Sequence, residues 1–90
     1  MRESSIERKL VQGIKKAGGL CMKFTSPGRR GVPDRIILIY GKILFVELKA
    51  PGGELSELQR VMISNMRFHG ARVEVIDSVE KVYHLLEELT

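Results

Sequence analysis

Asp34, Glu47 and Lys49 are the residues on which chemistry can be built in this chain. Two carboxylates can hold a hard divalent cation through oxygen ligands. An amine beside them can orient an attacking water or meet the negative charge that develops on a phosphorus centre. A metal-dependent phosphodiester hydrolase needs that set. The three side chains matter only if the chain brings them together, and their spacing can be checked against strand geometry.

Residues 34–40 read Asp-Arg-Ile-Ile-Leu-Ile-Tyr and residues 43–49 read Ile-Leu-Phe-Val-Glu-Leu-Lys, with only Gly41-Lys42 between them. Two runs rich in β-branched and aliphatic residues, joined by two residues with Gly first, predict a hairpin with a type II′ or I′ turn. Pairing Tyr40 with Ile43 sets Ile36 opposite Glu47 and Asp34 opposite Lys49. Side chains alternate faces along a strand, so Glu47 and Lys49 point the same way, and Asp34 joins them across the pair. In this register Asp34 lies diagonal to Glu47 at about 7–8 Å between Cα atoms, within reach of one shared cation.

The elements around this hairpin follow from periodicity and caps. Ser4 and Glu7 have capping-box spacing, and Ile6, Leu10, Ile14 and Ala17 recur at helical intervals until Gly18-Gly19. Residues 20–25 alternate as a strand with Leu20, Met22 and Phe24 on one side. Residues 26–31 form a loop of breakers and positive charge, and residues 50–53 a second loop. A second capping box, Ser56 with Gln59, opens a helix that runs to about His69 through Leu58, Val61, Met62 and Met66, and Gly70 stops it. Residues 71–76 alternate as a strand, and residues 77–80 cap a last helix with Val79, Val82, Tyr83, Leu86 and Leu89 inward. The expected order is αβββαβα, an α/β chain with a mixed central sheet flanked by helices, forming one domain over residues 1–90.

Ninety residues support a modest core, and small domains of this kind often gain stability by self-association. No apolar run approaches the length of a membrane span, and the first residues lack the apolar segment of a secretory signal. A lone Cys21 excludes an internal disulfide and fits a reducing compartment, so a cytoplasmic location is expected. The net charge of +4 is unevenly spread: residues 1–50 carry eleven Lys/Arg against four acids, residues 51–90 four against seven. The basic half holds the candidate site, as binding to a phosphate backbone favours.

Gly31-Val32-Pro33-Asp34, Val46-Glu47-Leu48-Lys49 and Leu55-Ser56-Glu57-Leu58-Gln59 together resemble the VRR-NUC group of the PD-(D/E)xK nuclease superfamily, with its restriction-endonuclease-like core. The resemblance runs from Glu7 to at least Val75. It implies an Mg²⁺- or Mn²⁺-dependent, structure-selective DNA endonuclease of the stand-alone phage or bacterial type. Such a protein would act as a homodimer on branched DNA such as four-way (Holliday) junctions, and a two-fold protein suits a two-fold substrate. If phage-encoded, it would work in the host cytoplasm. A non-catalytic DNA-binding module on the same fold, or a flap- or restriction-type endonuclease, are the alternatives.

The resemblance also assigns roles. Asp34 and Glu47 become metal ligands, with the Leu48 carbonyl as a third, and Lys49 acts on the water or the transition-state charge. An Asp34–Lys49 cross-strand ion pair is the structural alternative. Glu7 reads either as an auxiliary acid of the metal shell or as the partner in its capping box. Gln59 has the same two readings, as a site glutamine or as a cap. Arg29, Arg30 and Arg35, with Lys42 at the turn, are the candidates for phosphate contacts, because arginine forks match phosphate oxygens. Arg35 alternates away from Asp34 and is the weaker candidate. His69 and His84 have no partner for a metal, and Met62 and Met66 read as core or dimer packing.

Overall fold

The computed structural model describes all 90 residues. The elements are α1 (Glu3–Lys16), β1 (Leu20–Lys23), β2 (Arg35–Ile39), β3 (Lys42–Leu48), α2 (Glu57–Phe68), β4 (Val73–Ile76) and α3 (Val79–Leu89), in the expected αβββαβα order. The sheet runs β1-β2-β3-β4, antiparallel between the first three and parallel between β3 and β4. The parallel step follows from connectivity: β3 reaches β4 through α2, a βαβ crossover, whereas β2 and β3 share a tight turn.

Alternation along the strands divides the sheet into two unlike faces. Ile37, Ile39, Leu44, Val46, Leu48 and Ile76 point to one face and bury against Ile6, Leu10 and Ile14 of α1 and Val82, Leu85 and Leu89 of α3. Each such side chain removed from water contributes about 2 kcal/mol, so this face holds most of the fold's stability. Cys21 packs at its margin, where burial pushes the thiol pKa up, as suits a small apolar filler. The opposite face carries Phe45 and Glu47 under α2, and leaves Leu20, Met22 and Ile43 exposed.

The hairpin differs in register from the expected one. Ile39 pairs with Lys42, so Tyr40-Gly41 form the turn rather than Gly41-Lys42. Both turn residues have positive φ, 47° and 75°, which identifies type I′. A tyrosine in that conformation needs compensation. Its hydroxyl donates to the Ala17 carbonyl at 2.8 Å, and Lys42 reaches the Leu89 carbonyl at the end of α3. These tertiary bonds are invisible to a turn rule that looks for Gly in the first position.

Two helices also differ in detail. The first begins at Glu3 with Arg2 at its N-cap and no side-chain cap, so Ser4 and Glu7 form no capping box. The second is capped as expected by Ser56 and Gln59. It rests on the sheet through Ile63, with Met62 and Met66 half-buried, whereas Leu58 and Val61 face outward. In α3, Tyr83 is exposed and Leu85 takes the inward position expected for it.

Candidate active site

The change in register is an even number of residues, so it leaves every side chain on its expected face. Extending the observed pairing one step past Arg35–Val46 brings Asp34 level with Glu47, directly opposite rather than diagonal. Pairing has ended there. The Leu48 N–H, which points toward β2, donates instead to Asp34 Oδ2 at 2.9 Å. The N–H and C=O of one strand residue leave on the same side, so the Leu48 carbonyl also faces Asp34.

Gly31 and Pro33 fix the approach of Asp34. Pro33 is buried, and Gly31 has φ +85° with its α-carbon against the first turn of α2. A Cβ built on Gly31 would lie 2.5 Å from the Leu58 carbonyl oxygen, where no side chain fits. The glycine of the Gly-Val-Pro-Asp run thus lets the basic loop dock on α2, and the docked loop delivers Asp34 to the end of β3.

Glu47 is the most unusual group in the molecule. It is only 2% exposed, and it is the one charged residue in the buried set. One oxygen, Oε2, accepts a 3.0 Å bond from Gln59 Nε2 and lies 3.5 Å from Lys49 Nζ. The other, Oε1, is buried with no hydrogen-bond partner. Burial is the main cause that raises its pKa to about 7, reinforced by Asp34 and opposed by Lys49. A buried carboxylate oxygen without a partner costs free energy unless something charged or polar meets it.

Asp34 and Glu47, with the Leu48 carbonyl, could hold one small divalent cation. The orphaned Oε1 and the mutual repulsion of the two acids are what such an ion relieves, and oxygen donors suit Mg²⁺ and Mn²⁺. No group of three His, Cys, Asp or Glu side chains stands close enough to form a metal cage. The remaining positions would fall to waters and a substrate phosphate, the usual habit of Mg²⁺.

Gln59 caps its helix and also contacts a candidate site acid. Its Oε1 accepts from the Ser56 N–H at 2.9 Å, completing the capping box, and its Nε2 holds Glu47. Lys49 pairs with Glu47 rather than with Asp34, so the cross-strand alternative is absent. Glu7, freed of its cap, lines a cleft of about 270 Å³ with Asp34, and one of its oxygens accepts from Arg35 Nε at 2.9 Å. That pairing leaves the Arg35 side chain 13% exposed and committed within the chain. Arg29 and Arg30 stand exposed in the loop before Asp34. Lys42 lies at the far end of the hairpin, five residues from Glu47 and thus roughly 16 Å away along the strand.

Glu3 is a site neighbour that pattern reading missed. It lines the same cleft as Glu7 and Asp34, and its charge also raises the Glu47 pKa. Glu3 and Glu7 have the i,i+4 spacing of one helix face. Starting the helix at Ser4 placed Glu3 outside it and concealed that pairing.

Known proteins share this architecture. The family model for the VRR-NUC domain matches residues 2–80. A phage protein named "Putative nuclease p44", from Acyrthosiphon pisum secondary endosymbiont phage 1, is 48% identical over 79 residues, covering 87% of this chain and 85% of that protein. A solved VRR-NUC domain superposes with a TM-score of 0.87 at 30% identity, over 98% of this chain and 97% of the other. The αβββαβα fold is therefore matched in structure and the family in sequence, and the chain belongs to the VRR-NUC family of nuclease domains.

Proposed function

We propose that this nuclease domain is a divalent-metal-dependent DNA endonuclease that cuts branched DNA, such as four-way junctions, as a homodimer. The observation that carries the metal dependence is the buried, unpartnered Oε1 of Glu47 beside Asp34 and Lys49. Asp34 and Glu47 hold the cation, with the Leu48 carbonyl. The cation supplies Lewis-acid stabilisation of the phosphate and a more acidic water. Lys49, tethered to Glu47 Oε2, keeps an ammonium donor at the same spot to orient that water and to meet charge on the phosphate. Gln59 donates to the same Oε2, so the carboxylate is held in one orientation with Oε1 left for the cation. Arg29 and Arg30 add phosphate contacts at the mouth of the site.

The homodimer is supported by apolar side chains that the monomer leaves exposed, among them Leu20, Ile43 and Phe68 at 58%, 61% and 84%. A symmetric pair of sites matches the two-fold symmetry of a four-way junction. Labelled four-way junction, flap, single strand and linear duplex, each incubated with Mg²⁺, Mn²⁺ or chelator, test the reading. Junction cleavage that requires the metal is expected. Binding without cleavage in either metal would leave only a docking module, and equal cleavage of linear duplex would remove the structural selectivity.

A further inference from the structure

A second compartment lies beside the acid pair along the seam between α2 and β3. Gln59, Met62, Met66 and His69 form one stripe of α2 at intervals of three and four residues. Gln59 holds Glu47 at one end of the stripe. Further along, Met62, Met66 and Ala71 meet Phe45 in a cleft of about 420 Å³, with Asn65 and His69 at its rim. Arg29 from the basic loop also lines it. Phe45 precedes Glu47 by two positions on the same strand face, so the cleft begins roughly 7 Å from the acid.

We infer that this cleft captures an unpaired nucleobase of the DNA substrate, next to the phosphate that is cut. The inference rests on the proposed nuclease activity for its position relative to the cut. The chemistry of the walls selects the occupant. An aromatic ring and two polarisable thioethers suit the flat faces of a heterocycle. The Asn65 amide and His69 imidazole carry donor and acceptor atoms for its edge. Arg29 places a guanidinium where the attached phosphate would run. The volume admits a base with its sugar, and Phe45 in its wall lies two strand positions from Glu47, a spacing of roughly 7 Å that one nucleotide can bridge. A base stacked in a duplex cannot enter, whereas one already unstacked at a branch point enters at little cost. Selectivity for branched DNA would then reside in this cleft as well as in the dimer.

The test uses the full-length protein with Ca²⁺ in place of Mg²⁺, to hold DNA uncut. Junction oligonucleotides carry a single 2-aminopurine, or a single abasic residue, at each position within three nucleotides of the cut. The cut is mapped with active metal or, failing cleavage, the scan spans the whole branch. One position is expected to change fluorescence on binding, and its abasic replacement to weaken binding about tenfold, the value of one stacked base. Ala71→Phe, which fills the cleft, should abolish both effects. The paired substitution Asn65→Ala with His69→Ala, at exposed positions, should reduce them without lowering the melting temperature. Abasic penalties that are equal in wild type and in both variants overturn the inference. So does an Ala71→Phe change that alters only the oligomeric state, since the cleft would then seat a protein side chain. Normal metal-dependent cleavage without any base signal removes the base pocket and spares the nuclease; base capture without cleavage does the reverse.

Discussion

Replacing Glu47 with glutamine separates the two demands placed on that residue. In the absence of metal the carboxylate is buried, one oxygen is unpaired, and its pKa is pushed from 4.5 to about 7. The folded protein therefore binds a proton between those values that the unfolded chain releases. Stability contributed by that proton is complete below pH 4.5 and is lost as the pH rises through 7. At roughly 1.4 kcal/mol per pKa unit the full range is worth about 3 kcal/mol, most of it falling between pH 5 and pH 8. Glutamine does not titrate. Its own buried N–H₂ carries a cost, but one that is the same at both pH values. The quantity to measure is the urea-unfolding free energy of wild type and Glu47→Gln in chelator at pH 5 and pH 8. The variant should gain about 2–3 kcal/mol relative to wild type between the two, while losing cleavage altogether. Curves that stay parallel within about 0.5 kcal/mol would refute the claim that a strained acid sits at the centre of the site.

Three further outcomes follow from the same geometry. Lys49→Ala should keep DNA binding within about twofold and reduce single-turnover cleavage by about 10²-fold or more, the usual scale for one transition-state donor; unchanged cleavage would remove Lys49 from the chemistry. Gly31→Ala should destabilise the fold by about 1–3 kcal/mol in thermal unfolding, because it demands positive φ and a clash with the Leu58 carbonyl; a neutral result would show that the loop is not docked on α2. Arg29→Ala with Arg30→Ala should lower the slope of log affinity against log salt by about one for each phosphate no longer neutralised; an unchanged slope would place both side chains away from the DNA.

The faces of the strands were legible because alternation has a period of two, so even a misplaced turn left Asp34, Glu47 and Lys49 together. The turn itself was not legible, since what stabilises Tyr40 in a left-handed conformation is a bond to Ala17, 23 residues away. The start of α1 was misread for a related reason. Ser4 is a good cap by composition, but burial of Ile6, Leu10 and Ile14 against the sheet carries the helix and makes the local signal dispensable. The capping box of α2 was legible, whereas the second bond of Gln59 depends on how the helix lies over β3. Exposure of Leu58, Val61 and Tyr83 was not legible, because a helix with apolar residues on several sides does not state which side meets the sheet.

Gln59 gears the first turn of a surface helix to a buried acid, through the two ends of a single amide. Helix ends open far more readily than cores. Each time this one frays, the amide lets go of both partners and Glu47 loses its only hydrogen-bonding amide. If Glu47 holds the cation as proposed, competence to cut is tied to one end of α2, and warming should silence the enzyme several degrees before the sheet comes apart.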